Sequence, residues 1–351
     1  MATLTQTAYL SRRIIKYGLI GLVALLIGRS IFITFNAYWK KTHPPPVPPP
    51  TVRFGKLPKL VFPQRAGLPP IGLRSETISG SFPKFPDRAE VFFVPLSSSN
   101  FLAWDESKAW ARKLGFTNQP EEIDKNNYRF STDTNPKTIL ETNVLTKNFK
   151  LFYGWKNDLS LLSSEGVLDE KNALSLAKSY LQTAGVLNDD LLNGPSEAIF
   201  YKYKDNNLTK TLFASEANLV KINLFRSALR DLRILPPNPK DSNVSILIAP
   251  GVKQGKGIVE VNYIYYPISL QNSSTYPIID SELAWKQLAS GKGFIANLGD
   301  NPDGKVTVRT SYIAYYESDT PQSFLQPVVV FEGDNDFYAY VPALTADWVE
   351  Q

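Results

Sequence analysis

Residues 280–316 read DSELAWKQLASGKGFIANLGDNPDGKVTVRTSYIAYY, and the fold class is predicted from the pattern in this stretch. Asp280 can accept hydrogen bonds from the free amides of a first helical turn, and Gly291 can take the left-handed conformation that ends a helix. We therefore expect a helix between them. The turn sequence NPDG at 301–304 precedes a strand-like run over 305–316. The stretch predicts a helix followed by antiparallel strands.

Two earlier segments carry the same signature of an initial aspartate and a closing glycine. They predict helices over 105–114 and 169–184, closed by Gly115 and Gly185. Strand-like runs separate the helices; they lie at 128–131, 138–145, 198–203, 211–214, 218–225, 245–248, 257–270, 326–331 and 336–342. Helices alternating with hairpins predict an α+β fold, with helices packed on one face of antiparallel sheets.

The same pattern, read along the whole chain, gives a domain plan of seven parts. These are a short cytoplasmic tail (1–16), a transmembrane helix (17–38), a basic Pro-rich linker (39–70), three helix-plus-antiparallel-hairpin units (71–160, 161–240 and 241–345) and a tail (346–351).

The transmembrane helix is predicted from YGLIGLVALLIGRSIFITFNAY at 17–38. About 20 apolar residues suffice to cross a bilayer as a helix. Tyr17, Tyr38 and Trp39 lie where interfacial aromatic residues are expected. A cleaved signal peptide with its apolar part at 17–28 remains an alternative.

The charge of the chain changes sign along its length. The first 70 residues contain ten Lys or Arg and no Asp or Glu, whereas the remaining 281 contain 28 basic and 33 acidic residues. The net charge of +5 is therefore no sign of nucleic-acid binding. Cations flank both ends of the apolar run, so the positive-inside rule gives no clear orientation. A short N-terminal tail before the run favours a single-pass anchor in the cell membrane with an extracytoplasmic C-terminal domain.

The linker is rich in proline. Residues 44–50 read PPPVPPP, which favours a polyproline II rod of roughly 20 Å. Arg53, Lys56, Lys59 and Arg65 follow it. The pattern indicates a semi-rigid stalk with a secondary attraction to anionic lipid or wall polymer.

Two stretches carry a resemblance to a known group. They are VKINLFRSALRDLRIL at 220–235 and the C-terminal half from VNYIYYPI to FYAYVPAL, which ends at Leu344. The order of anchor, stalk and helix-plus-hairpin units resembles the PepSY-like (cystatin-like) group, in particular membrane-anchored regulators of the YycH and YycI type. In those families a strand ending in an aromatic residue and Arg precedes a loop. The resemblance implies a regulatory role toward a sensor kinase or protease.

The side-chain inventory excludes several enzyme mechanisms from the globular part. The only histidine is His43, beside the membrane, and the chain has no cysteine. Ser-His-Asp, Cys-His and His-ligated zinc sites are therefore unavailable there. The glycine-rich stretch 251–257 has neither P-loop nor GxGxxG spacing and is interpreted as a turn. We expect no catalytic residues and no cofactor.

Carboxylates in turns are the remaining candidates for chemistry. Asp300 and Asp303 have a weak resemblance to a calcium loop, but the later glutamate of an EF-hand is missing. Glu332, Asp334 and Asp336 alternate in another predicted turn, where Asp and Asn are favoured for backbone reasons. We expect turn chemistry, with Asp300 and Asp303 as weak candidate metal ligands.

Aromatic residues are abundant in the C-terminal strands. Tyr263, Tyr265, Tyr312 and Tyr338 are candidate protein-binding residues, because exposed tyrosines on a sheet suit protein recognition. The alternative is that these side chains belong to the core and to ordinary sheet surface.

These observations predict a membrane-anchored, non-enzymatic, extracytoplasmic binding or regulatory protein that acts on another envelope protein. The bilayer is its first expected partner, through the N-terminal helix. The alternatives are a stalked structural subunit of a cell-envelope, pilus or secretion assembly, and a carboxylate hydrolase centred on Asp334 and Asp336.

Overall fold

The computed structural model describes residues 4–43, 48–96, 102–162, 169–250 and 257–350. Part of the expected polyproline rod (44–47) and nearly all of the glycine-rich stretch (251–256) lie outside the described residues. The chain forms two compact units, Met1–Pro49 and Pro50–Gln351, and each is described by itself.

The first unit is one long helix, α1 (Leu4–Thr42). Its segment Ser11–Thr42 has a mean hydropathy of 2.1 over its most apolar window, and none of that window is buried. By length and composition α1 could cross a membrane, and a signal sequence near the N-terminus would look the same. The helix extends past both ends of the predicted span 17–38.

The second unit contains four described α-helices: α2 (Ala103–Lys113), α3 (Glu170–Thr183), α4 (Asp189–Leu192) and α5 (Ser281–Ala289). Asp169 and Asp280 cap α3 and α5 by accepting backbone N–H bonds at 2.7 Å. The prediction for α2 was wrong at its start: Asp105 lies in its first turn, where its charge faces the positive end of the helix, and not at its cap.

The described strands, in chain order, are β1 (Gly72–Ser75), β2 (Arg88–Phe93), β3 (Glu121–Glu122), β4 (Asn127–Ser131), β5 (Thr138–Asn143), β6 (Phe149–Tyr153), β7 (Ser196–Lys204), β8 (Asn207–Thr211), β9 (Leu219–Leu224), β10 (Ile234–Leu235), β11 (Val244–Ile248), β12 (Ile258–Tyr263), β13 (Ser269–Pro277), β14 (Phe294–Asn297), β15 (Lys305–Tyr316), β16 (Phe324–Gly333) and β17 (Phe337–Pro342). They form two sheets.

The first sheet has nine strands in the order β3-β4-β5-β6-β12-β11-β9-β7-β8, all antiparallel. Helices α2, α3 and α4 bury small and apolar side chains against one of its faces, among them Ala111, Ala177 and Leu191. The other face carries polar side chains such as Lys150, Glu260 and Asn262 over much of its area, which matches the alternation expected of a half-covered sheet.

The second sheet has eight strands and is mixed. Its central path is β1-β15-β16-β17-β14; β10 adds to β15, and β2 joins β16 to β13. The pairings of β1 and β10 with β15 are parallel. Helix α5 covers this sheet through Ala284 and Leu288, which pack with β17. The α+β class is therefore confirmed.

Two strand predictions were wrong in a way that matters for the site. The single strand expected over 257–270 is divided into β12 and β13, which lie in different sheets, and Pro267 between them lacks the N–H that a ladder requires. The strand expected at 211–214 is β8, four residues earlier, because Asp205 and Asn206 form a two-residue turn with φ of 52° and 66°.

The linker prediction was wrong from residue 51 onward. Leu57 is completely buried, and its backbone exchanges hydrogen bonds with Trp348 and Glu350 at 2.9 and 2.8 Å. Phe62 stacks on Phe294, with 4.8 Å between the ring centroids. This part of the chain therefore packs on the mixed sheet. Burial of its apolar side chains stabilises the packed position, although its prolines suggested an extended stalk.

Candidate binding cleft

A cleft of about 750 Å³ opens in the second unit, between the end of the nine-stranded sheet and the turns of the mixed sheet. Residues 197–201 of β7 and 210–212 around the end of β8 give one wall. The turns around Asp300 and Asn335 give the other, and the loop 238–241 lies between them. The volume is typical of small-ligand or peptide-segment sites.

The wall formed by the turns depends on a close backbone approach. Gly299 has φ of 65°, and a Cβ there would lie 1.8 Å from the carbonyl oxygen of Asn335. The backbone N–H of Asp300 donates to that same oxygen at 2.9 Å. Asn335 and Asp336 also have positive φ, 57° and 62°. Only glycine fits at 299, so this wall of the cleft depends on the glycine at that position.

Charges of both signs line the cleft. Lys240 Nζ lies 2.6 Å from Asp336, and Lys221 Nζ lies 2.7 Å from Asp241. Glu197, Lys210 and Asp300 also face the cleft, and no ion pair among the described residues uses them. The cleft therefore offers both unpaired carboxylates and an unpaired ammonium group.

Tyr201 provides an aromatic surface in the cleft. Burial raises the pKa of its phenol, and the carboxylates of Asp241 and Glu197 raise the pKa further. Tyr201, Lys221 and Asp241 also line a second groove of about 520 Å³, which follows the open face of the nine-stranded sheet. The two cavities therefore share a border of three side chains.

Strand β8 lies at the edge of its sheet, next to the cleft. Its described pairing is with β7 alone, so its outer backbone groups face away from the sheet. Immediately after it, Leu212 is 93% exposed and Phe213 is 64% exposed. Two exposed apolar side chains beside an edge strand and a cleft are the usual elements of a surface that binds an extended segment.

The sequence-predicted metal candidates, Asp300 and Asp303, lie in different surroundings. Among the described residues no group of three or more His, Asp or Glu side chains is placed to hold an ion. Asp303 accepts a hydrogen bond from the backbone N–H of Lys305 at 3.0 Å, and that bond lowers its pKa. Asp300 lies in the cleft wall instead. The turn hydrogen bond expected of such residues is present at Asp303.

The alternating carboxylates of the 332–336 turn have three separate partners. Glu332 accepts from the Tyr338 hydroxyl at 3.0 Å, Asp334 pairs with Arg309 at 2.5 Å, and Asp336 pairs with Lys240. A hydrolase would need two carboxylates facing each other across a substrate. These side chains instead hold the turn against its neighbours.

The four tyrosines chosen from the sequence form two separate pairs. Tyr263 and Tyr265 stack with centroids 6.1 Å apart, and Tyr263 donates to the carbonyl of Val186 at 2.8 Å. Tyr312 accepts from Arg233 at 3.1 Å on the mixed sheet, as part of the cluster that contains Tyr338. Tyr263 and Tyr338 are buried, so the exposure on which their selection depended is absent.

A buried ionic cluster links the two sheets and was missed by the sequence analysis. Arg226, 8% exposed, follows β9; its Nη1 lies 2.7 Å from Glu317 Oε1 and its Nε 2.5 Å from Asp190. The guanidinium also lies over the Tyr265 ring, 4.4 Å from its centroid. The one signal in the sequence was the Phe225-Arg226 ending of the strand.

Burial and the attraction between opposite charges act in opposite directions on the side chains of this cluster. Burial alone would lower the pKa of Arg226. Electrostatic interactions with Glu317, Tyr265 and Asp190 have a larger, opposite effect, so the pKa lies above its usual value. Burial raises the pKa of Glu317, and the guanidinium at 2.7 Å opposes that rise. A cavity of only about 10 Å³ borders the cluster, which is room for about one water molecule.

Comparison with known proteins assigns no family. No protein family and no curated protein matches the chain significantly. An uncharacterized protein from Eubacterium rectale, known as a crystal structure, is similar over 76% of this chain and 86% of its own, with 11% sequence identity and a TM-score of 0.36.

Proposed function

We propose that this chain is a membrane-anchored binding protein whose folded unit lies outside the cytoplasm and takes an extended segment of another envelope protein. The observation that carries the proposal is the cleft of about 750 Å³ beside the β8 edge, with exposed Leu212 in its lining and exposed Phe213 next to Leu212 in the chain. The exposed apolar helix α1 supports the anchor.

The β8 edge supplies the means of binding. An extended segment that adds to β8 as a further strand gains main-chain hydrogen bonds, and side chains on one face of that segment enter the cleft. Leu212 and Phe213 would cover the apolar side chains of the segment. Lys210 and Glu197 lie in the cleft wall and would select its charges.

The regulatory role that the PepSY-like resemblance implies belongs to this proposal. A binding protein that holds a segment of a sensor kinase or protease changes the population of that partner's states only if it prefers one of them. The chain's own residues supply a binding surface for this role and need no catalytic group.

Site-specific photo-crosslinking tests the proposal in cells that make the protein. Leu212 is replaced by a photoreactive phenylalanine analogue in the full-length chain. Leu283, an apolar residue on α5 that is 44% exposed, is replaced in the same way as a matched control. We expect one envelope protein to be crosslinked from position 212 and not from position 283.

Equal crosslinking from both positions, or none from position 212, would contradict the binding role. Recovery of the chain in one large assembly of fixed stoichiometry would favour the structural-subunit alternative instead.

A further inference from the structure

A basic segment on the mixed sheet carries an inference that is independent of the cleft. Residues 51–65 are called the strap. Its backbone is fixed at one end by Thr51, whose N–H donates to the Thr275 hydroxyl at 2.9 Å, and in the middle by the buried Leu57. The carbonyl of Pro58 accepts from Gln326 at 2.9 Å. The strap is therefore an ordered part of the folded unit.

The strap presents three cations outward. Arg53, Lys56 and Lys59 are exposed, and none takes part in an ion pair among the described residues. Val61 beside them is 70% exposed. Arg65 differs, because its guanidinium lies 5.4 Å above the Phe294 ring and burial lowers its pKa. The structure therefore separates three outward cations from one that packs inward.

The chain between α1 and the strap is short. Helix α1 ends at Thr42, and eight residues, 43–50, precede Thr51. Even fully extended, eight residues span at most roughly 28 Å. If α1 crosses a bilayer, the strap therefore begins only eight residues after the helix that crosses it.

We propose that the outer face of the strap, formed by Arg53, Lys56, Lys59 and Val61, docks on the anionic lipid headgroups of the bilayer that α1 crosses. The absence of any Asp or Glu from residues 1–70 leaves nothing in this segment to repel such a surface. Cations near an anionic membrane gain about 1 kcal/mol each, so three bias docking on the order of a hundredfold. Val61 adds an apolar side chain at the level of the headgroups. This inference rests on the membrane anchor and not on the cleft or its partner.

Headgroup quenching in vesicles tests this docking. The full-length chain has no cysteine, so Gln64→Cys, at an exposed position of the strap, takes a single fluorophore. The labelled protein is reconstituted into phosphatidylcholine vesicles that carry a nitroxide on some headgroups, with and without phosphatidylglycerol. We expect quenching to rise with phosphatidylglycerol and to fall again in high salt, because salt screens exposed charges.

Two triple variants of equal charge decide the result. Arg53→Gln/Lys56→Gln/Lys59→Gln should remove the response to phosphatidylglycerol. Lys113→Gln/Lys125→Gln/Lys171→Gln, at exposed lysines outside the strap, should keep it. Both should unfold at the same denaturant concentration as the parent, because the changed side chains are exposed. Quenching that ignores phosphatidylglycerol, or that both triple variants lose equally, would overturn the inference without affecting the crosslinking result at Leu212.

Discussion

Nη1 of Arg226 lies 2.7 Å from Oε1 of Glu317, and this pair joins the two sheets of the folded unit. Arg226 follows β9 of the nine-stranded sheet, and Glu317 follows β15 of the mixed sheet. Asp190 at the start of α4 completes the cluster. The cleft has a wall on each sheet, so its shape depends on a fixed junction between them.

Replacing Arg226 by Met should destabilise the protein by about 3 to 5 kcal/mol, because it leaves Glu317 buried without a cation. Urea unfolding measures the change. Burial already holds the pKa of Glu317 above its usual value, and loss of the guanidinium raises it further. The contribution of such a group to stability is present at acid pH and is lost as the pH rises through the folded pKa. The variant should therefore recover stability as the pH falls toward the usual pKa of a glutamate, and Arg226→Met/Glu317→Gln should be more stable than Arg226→Met at neutral pH. The exposed pair of Arg309 and Asp334 gives the control, since water screens an exposed ion pair and Arg309→Met should cost much less. An Arg226→Met variant that loses as little as this control would contradict the junction.

Replacing Gly299 by Ala should destabilise the fold and close part of the cleft. The added Cβ would meet the Asn335 carbonyl oxygen at 1.8 Å, and the φ of 65° is itself unfavourable for alanine. Gly55→Ala is a matched control, because Gly55 has φ of 70° and a Cβ added there would have no neighbouring atom within 4 Å. The control should lower the free energy of unfolding by only about 1 to 2 kcal/mol, which is the cost of placing alanine in the left-handed region. Gly299→Ala should lower it clearly more. Equal unfolding midpoints would show that the close approach is absent.

Replacing Tyr180 by Phe should make the protein less sensitive to alkali. Burial raises the pKa of Tyr180 to about 12, and its hydroxyl has no hydrogen-bond partner among the described residues. A group with a raised folded pKa binds its proton more tightly in the folded state. Its contribution is complete below about pH 10 and is lost as the pH rises toward 12. Between about pH 10 and pH 12, the free energy of unfolding of the parent should fall by about 2 kcal/mol more than that of the variant. Identical alkaline unfolding curves for the two proteins would rule this out.

Replacing Leu212 and Phe213 by Asp should abolish partner binding without harming the fold. Both side chains are largely exposed, so the change in the free energy of unfolding should stay within about 0.5 kcal/mol. The crosslink is then read from a reporter at Thr209 on β8, an exposed residue that the substitutions leave in place. Undiminished crosslinking from Thr209 would show that these two side chains do not form the contact.

Local features of the fold were predictable from the sequence. Strand β15 has the predicted bounds 305–316, and the caps Asp169 and Asp280 and the closing glycines act as expected. These features depend on neighbours within a few residues. Two-residue turn chemistry is equally local, as Asp205 and Asn206 show with positive φ directly before β8.

Long-range contacts were not predictable. Strand β2 pairs with β13 about 180 residues later in the sequence, and Arg226 pairs with a glutamate 91 residues away. The cleft combines β7 and β8 with turns about 100 residues beyond them, so no continuous motif marks it. The strap was mistaken for a stalk because Leu57 and Phe62 contact residues more than 200 positions later in the sequence.

The location of the folded unit tests the account most directly. Ser290→Cys places a single thiol at an exposed position after α5 in a chain that otherwise has none. Intact cells are treated with a membrane-impermeant thiol reagent, and lysed cells serve as the reference for full reactivity. Labelling in intact cells to the level of the lysate is the predicted result, because the folded unit would then lie outside the cytoplasm. Labelling only after lysis would contradict the proposed envelope partner and the extracytoplasmic binding role.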